Sequence, residues 1–330
     1  MGVDSFDEVL LTGGAENYPE MAKALSKSPT WENFELWKQV RDPLVLQRTL
    51  SKAIFNQHGI YSPTCEVSCE SSGSILQKPL SGAGGLGIHW KDSSDSAKPG
   101  FYQQRWIEGD VKSSIHLGED SGARLLGSSE SLHGWESFGA DEFVYCGSLA
   151  NYELPTELES RVALLGNQIA TSFGLKGIFG VDFIVDASDQ IWVLEVNPRF
   201  PASLEVIDGQ DQPAIGFISQ HLAAIGNEQA ASWASMVSPK SPVTQLTGKA
   251  IVYNRFSSTL TVSESKFEQL LALRNRKSES GPYPVHDIPN PGTVVPLQAP
   301  LVTVMASAQN KSETLQQLKS LADAVYSIFE

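Results

Sequence analysis

The residues best placed for chemistry lie in Gly177–Arg199, GIFGVDFIVDASDQIWVLEVNPR. Two β-rich runs, Ile178–Asp186 and Ile191–Asn197, flank a short polar break and predict a hairpin. Alternation puts Ile178, Gly180, Asp182 and Ile184 on one face of the first run, and gives Glu195 and Asn197 a shared face on the second. A loop of two or four residues centred between Ser188 and Asp189 sets Asp182 directly opposite Glu195; an odd loop breaks that pairing. Directly opposed residues have Cβ atoms about 4.5–5.5 Å apart, where like charges destabilise a hairpin unless something neutralises them. The neighbours Phe183, Val193, Leu194 and Val196 are apolar. Two carboxylates with the carbonyl oxygen of Asn197 form an all-oxygen set suited to Mg²⁺ or Mn²⁺, ions that take waters and phosphate oxygens as further ligands. A solvated polar face, or a carboxylate of raised pKa without metal, is compatible with the same spacing. Arg199, two residues beyond Asn197, suits a transferring phosphoryl group as well as a plain salt bridge.

A second candidate is Gly82-Ala-Gly84-Gly85-Leu-Gly87, a GxGxxG pattern. A dinucleotide-binding turn would need a helix after it, but the following IHWKDSSDSAKPG has no helical apolar period. A protein kinase would need HRD and DFG downstream, and neither occurs. What remains is a glycine-rich flap between strands Ser74–Leu80 and Leu86–Lys91, or an open loop without a ligand. Lys78, four residues before the loop on the run SILQKPL, favours the first. A fixed cation beside backbone N–H groups suits a polyphosphate.

Composition narrows the partners. Lys plus Arg number 24 against 38 Asp plus Glu, a formal net charge of −14, which repels a phosphate backbone and excludes nucleic acid as the main partner. Hydrophobic residues at 41% and charged residues at 19% describe a globular chain long enough for two or three domains. No apolar run reaches the roughly 18–20 residues of a membrane helix, and MGVDSFDEVLLTGG carries acids where a signal peptide carries bases, so a cytoplasmic protein is expected. Three cysteines, with Cys65 and Cys69 four apart and unmatched by a second pair, argue against a disulfide scaffold or a zinc site. No HExxH, GxSxG or GxxxxGK[ST] occurs.

The positioning elements are legible in part. Val162, Leu165, Ile169 and Phe173 predict a core-facing helix over Glu157–Phe173 capped by Gly174. A second helix is expected over Gln210–Ile225, then a linker at 227–247. The C-terminal part predicts a strand at Gly248–Arg255, an irregular stretch at 281–292, a strand at Pro300–Ala306, and a helix at Ser312–Phe329 opening on Ser-Glu-Thr.

A lysine strand, a glycine flap and then Asp182 with Glu195-Val-Asn197-Pro-Arg199 resembles the ATP-grasp superfamily. Tyr102–Gly109 resembles its interdomain hinge, and Asp42-Pro43 through Gly59-Ile-Tyr-Ser-Pro63 its helix and turn before the lid; the resemblance spans about residues 41–210. It implies an α/β (α+β) fold of two subdomains clasping ATP, with a shortened N-terminal domain and a small C-terminal α/β extension. The implied division is 1–40, remnant of a preceding domain; 41–107, lid; 108–236, subdomain with the Mg²⁺ site; and 237–330, extension. Lys78 would contact ATP phosphates, and Gly82, Gly84, Gly85 and Gly87 would close over them. Main-chain groups of Gln103, Gln104, Arg105, Trp106 and Ile107 would hold adenine. Asp182, Glu195 and Asn197 would hold Mg²⁺ (or Mn²⁺), and Arg199 would stabilise the transferring phosphate. Segments GGAEN, LLGSSESLHG, FVYCGS and DIPNPGTVV resemble carboxylate–amine ligases of the tyramine–glutamate type, associated with one-carbon carrier cofactors.

The expected activity is ADP-forming ligation of a small carboxylate to an amine through an acyl phosphate, with no membrane partner and a homo-oligomer allowed. The alternative is a nucleotide-binding regulatory or degenerate relative without turnover; a biotin-dependent carboxylase subunit fits less well, since no biotinylation segment is present. Two departures bear on this choice. Asp42-Pro43 stands where many relatives have an Asp-Lys whose lysine reaches ATP, so that second phosphate lysine is missing or replaced by Arg41, and Asp110-Val111-Lys112 stands where many have a ribose-binding Glu.

Overall fold

A computed structural model describes residues 10, 12–14, 17–18, 34–65, 74–91, 99–151, 154–207, 215–228, 230, 245–256, 258–276 and 282–330. Parts of several expected segments lie outside these residues: Ala15 and Glu16 of GGAEN, Cys69, the first residues of the helix expected at Gln210–Ile225, and most of the linker. The chain divides into two compact units. One comprises Met1–Ser128, Glu153–Leu204 and Ala214–Pro239, the other Ser129–Tyr152, Glu205–Pro213 and Lys240–Glu330.

The first unit opens its described helices with Phe34–Arg41, Pro43–Leu50 and Ala53–Asn56. The middle one starts as its sequence dictates. Asp42 caps it, its Oδ1 accepting from the Leu44 and Val45 amides at 2.8 and 3.2 Å, and Pro43 fills the first turn, where no N–H is needed. Strands β1 (Ile60–Tyr61), β2 (Thr64–Cys65), β3 (Ile75–Pro79), β4 (His89–Trp90), β5 (Phe101–Arg105), β6 (Asp110–Glu119) and β7 (Gly122–His133) follow. After β8 (Tyr145–Asn151), in the second unit, come a helix at Thr156–Phe173 and strands β9 (Gly177–Val185) and β10 (Ile191–Asn197).

Strands β2, β5, β3 and β4, in the segment expected to be the lid, form a small sheet in that order, with the glycine turn between β3 and β4. Gly84, Gly85 and Gly87 sit at φ 60°, 79° and 77°, a conformation costly for a side-chain-bearing residue. In the larger sheet β1, β10, β9, β6 and β7 are neighbours in that order. Its odd-numbered residues on β9, Phe179, Val181 and Phe183, pack with Val162, Leu165, Ile169, Leu46, Leu50 and Phe55 in one core. Alternation therefore sends Gly180, Asp182 and Ile184 to the opposite face. Gly109, between β5 and β6, has no room for a side chain: a Cβ there would lie 2.3 Å from the Val185 carbonyl oxygen. Thr12 makes an isolated parallel bridge to Phe200.

Two histidines are buried in this unit. His116 on β6 stacks on Phe179 with ring centroids 5.2 Å apart and bonds Ser114 Oγ through Nε2 at 2.8 Å. His221, on the helix Ile215–Ala224, accepts from the Ile178 amide at 2.9 Å. Burial pushes both rings down, to about 3 and about 4 respectively, so both stay neutral.

In the second unit β8, β11 (Leu246–Tyr253), β15 (Pro300–Ala308) and β13 (Val285–His286) are neighbours in that order, while β12 (Leu260–Thr261) pairs with β14 (Val294–Val295). The helix Lys311–Phe329 lays Leu318, Ala322, Val325, Tyr326 and Phe329 on this unit's core. Its cap is Asn310, whose side chain accepts from the Glu313 amide, and not the Ser-Glu-Thr expected from sequence. A helix at Glu264–Arg274, capped by Ser263, is not legible in the sequence: Leu270 and Leu273 are its only fully buried positions. Cys146 is buried, and burial raises its thiol to about 11, which leaves it unreactive near neutrality.

Candidate active site

The hairpin loop is odd, contrary to the even loop expected. Val185 pairs with Ile191, Ile184 with Trp192 and Phe183 with Val193. Asp186 caps the turn with its side chain on the Ser188 and Gln190 amides, and Asp189 adopts φ 58°. A bulge at Leu194 then shifts the register by one, so that Glu195 pairs with Asp182 and Asn197 with Gly180. The expected opposition of the carboxylates is present, and the bulge creates it.

The pair is neutralised from within the protein. Arg41, at the C-terminal end of the helix Phe34–Arg41, donates from Nη1 to Glu195 Oε2 at 3.0 Å and to Asn197 Oδ1 at 2.8 Å. Its Nη2 donates to the carbonyl oxygen of Gly82 at 3.0 Å, which Asn17 also reaches at 3.4 Å. Asn197 Nδ2 bridges the carboxylates, 2.8 Å from Asp182 Oδ2 and 3.2 Å from Glu195 Oε1. Arg199 donates to Asn197 Oδ1 at 3.2 Å and to the Phe200 carbonyl at 3.3 Å.

Lys78 enters from the lid. It bonds Gln104 Oε1 at 3.0 Å across the β3–β5 pair. Burial lowers its ammonium pKa, against the fields of Glu195 and Asp182, which raise it. Gln104 is buried, with its Nε2 unpartnered.

The two carboxyls titrate apart. Burial and the charge of Glu195 push Asp182 up to about 7, with Ser113 and Arg199 pulling the other way. Burial alone would raise Glu195 as well, but Arg41, Lys78 and the Asn197 amide hold it down at about 2. A half-exposed carboxylate that keeps its charge beside a second one held partly protonated fits a divalent cation, whose charge would ionise both. The two carboxylates already converge on one point, the Asn197 amide nitrogen, and rotating that amide by half a turn would present oxygen there. Among the described residues no group of three or more His, Cys, Asp and Glu could hold a metal.

These shifts predict a pH dependence of stability. Below 6.5 an unfolded chain protonates His116 and His221, whereas the folded one does not until about 3 and about 4, so acidification destabilises the fold. Asp182 opposes this between 3.8 and about 7, because there the folded state binds the extra proton. Two histidines against one aspartate leave about one proton. Urea unfolding should therefore show stability falling as the pH drops from about 6 to 4.5. A flat or rising profile would refute the neutral rings.

Of the residues singled out from sequence, the structure joins Lys78, Gln104, Gly82, Asp182, Glu195, Asn197 and Arg199 through contacts and fields. Gly84, Gly85 and Gly87 lie on the same turn as Gly82. Gln103 pairs with Gln77 on β3. Arg105 leaves the network to lie over the Trp192 ring, 4.8 Å from its centroid. Trp106 meets Trp90 edge-on at 5.3 Å, both exposed, and Ile107 is half-buried just beyond β5. Arg41, the residue that makes most of the connections, enters the sequence reading only as the residue that could replace the missing second phosphate lysine; its contacts to Glu195, Asn197 and Gly82 are not legible there.

A family profile described as ATP-grasp domain matches residues 47–203. Curated protein sequences give no significant match. Among solved structures, the fold is similar to an L-amino acid ligase from Bacillus licheniformis, at 16% identity and TM-score 0.66 over 97% of this chain and 79% of that one. It is also similar to N5-carboxyaminoimidazole ribonucleotide synthetase from Thermotoga maritima, at 13% identity and TM-score 0.64 over 98% and 82%. A third is the biotin carboxylase domain dimer of the Hydrogenobacter thermophilus 2-oxoglutarate carboxylase, solved with MgADP and bicarbonate, at 11% identity and TM-score 0.63 over 97% and 77%. No helix among the described residues is long and apolar enough to cross a membrane. Residues 47–203 thus match the ATP-grasp domain profile, and the chain shares its fold with these solved structures.

Proposed function

We propose that this protein is an ADP-forming ligase that joins a small carboxylic acid to an amine. ATP phosphorylates the carboxylate, giving an acyl phosphate and ADP; the amine then attacks the acyl carbon, phosphate leaves, and a proton is released. The observation that carries this reading is the convergence of Lys78, Arg41 and Arg199 on a carboxylate pair held in two protonation regimes. Phosphoryl transfer needs little from a protein beyond positioning and charge neutralisation, and this constellation supplies both without a nucleophilic side chain. Lys78 and the Gly82–Gly87 turn take the polyphosphate, and main-chain groups of Gln103–Ile107 take the base. Asp182, Glu195 and Asn197 hold Mg²⁺ or Mn²⁺, which supplies Lewis-acid neutralisation of the phosphates when bound. Arg199 faces the group in transit. The lid is assigned to 41–107 and the metal-bearing part to 108–236.

Within this class the tyramine–glutamate type is our first choice of substrate pair, in the making of a one-carbon carrier cofactor; the support is the short-segment resemblance. The L-amino acid ligase likeness agrees in reaction type. The rival reading, binding without turnover, draws on Asp42-Pro43 lacking the usual lysine. Arg41 weakens it, because its guanidinium brings a second cation to the same site. The deciding experiment measures ADP release with Mg·ATP across a panel of amino acids, glutamate included, each with and without tyramine and other primary amines. ADP release that requires both an acid and an amine is expected. Tight nucleotide binding with no ADP from any pair would establish the rival.

A further inference from the structure

Arg41 ties together three things that a working site must be able to separate. One guanidinium binds a carboxylate of the candidate metal pair, the amide oxygen beside it, and the carbonyl oxygen of Gly82 on the glycine turn, all at 2.8–3.0 Å. Its side chain is 11% exposed, so these contacts are made largely out of water, where charge-assisted bonds are strongest. The planar fork lets Nη1 serve Glu195 and Asn197 while Nη2 serves Gly82, whereas a lysine would have to reach all three from a single nitrogen. Each Glu195 oxygen already accepts a bond, Oε2 from Arg41 and Oε1 from the Asn197 amide. A divalent cation entering between the carboxylates brings a second positive charge close to the guanidinium, and like-charge repulsion favours moving the guanidinium away.

We propose that Arg41 is a positioning residue with two states. Without nucleotide it latches the glycine turn to Glu195 and Asn197. When the metal and a polyphosphate arrive, the metal takes Glu195, and Arg41 moves its charge onto the phosphate oxygens, releasing Gly82. The phosphate half of this rests on the ATP reading above; the latch half rests on the three contacts alone. The turn is thus held before ligand binds, although four glycines in six residues lead one to expect a loop that is loose until nucleotide orders it. The exchange is a case of differential affinity: the two states differ in which anion the guanidinium meets.

The test compares wild type, Arg41→Met and Arg41→Lys. Amide hydrogen exchange over residues 80–90 in nucleotide-free protein should be at least about tenfold faster in Arg41→Met than in wild type, with Arg41→Lys between. Calorimetric binding with Mg²⁺ should show Arg41→Met weakening ATP by about tenfold or more while leaving adenosine unchanged. Equal exchange over 80–90 in wild type and Arg41→Met overturns the latch. Equal weakening of ATP and adenosine overturns the phosphate role. A wild type that binds no ATP removes the ligase reading and the phosphate role together, and the exchange comparison still decides the latch. Should Arg41→Met fail to fold, Arg41→Gln, which keeps two donors but no charge, takes its place in both arms.

Discussion

Glu195→Gln is expected to lower Mg²⁺-dependent ADP release by about 10²–10³-fold while the protein remains folded. The substitution keeps the shape and removes the one charge in the pair that the protein holds ionised far below neutrality. Losing several kcal/mol of transition-state charge stabilisation corresponds to that range of rates. Stability should not rise, although removing one of two opposed carboxylates would suggest it. The repulsion is already answered by Arg41 and by Asn197, and a glutamine would leave the buried Arg41 guanidinium without its carboxylate. The measurement is a steady-state ADP assay with a Mg²⁺ titration, alongside urea unfolding. Unchanged turnover across the titration would sink the metal assignment.

Arg199→Ala is expected to cost about 10³-fold in turnover with little change in nucleotide affinity. Arg199 touches Asn197 Oδ1 and the Phe200 carbonyl, so it lies beside the proposed metal ligands rather than among them. A cation in that position acts on charge that develops during transfer, and removing such a group lowers kcat more than it weakens ground-state binding. Calorimetry with Mg·ATP and single-turnover ADP formation separate the two quantities. A parallel loss of affinity and turnover would make Arg199 a binding residue instead.

Much of this site is legible in the amino-acid sequence. The strand lysine, the glycine turn and the Asp182–Glu195 opposition depend on local periodicity and on spacing within one hairpin, which sequence encodes directly. Even there the route differs: the turn is odd, and the bulge at Leu194 restores the pairing. A bulge leaves no mark on a pattern of apolar residues that tolerates either register. The helix Thr156–Phe173 is legible because its buried side is a single apolar stripe, whereas Glu264–Arg274 has no such stripe to announce it.

What the tertiary structure alone decides is long-range. Arg41 stands 154 residues before Glu195 and 41 before Gly82, and no local pattern announces that one guanidinium will meet both. The pairing of β8 with β11 groups Ser129–Tyr152 with the C-terminal residues, a division that no composition shift marks. Local structure follows from propensity and periodicity over a few residues. Contacts between distant segments follow from how whole elements pack to bury their apolar faces, and a charged side chain such as Arg41 is carried to its partners by that packing.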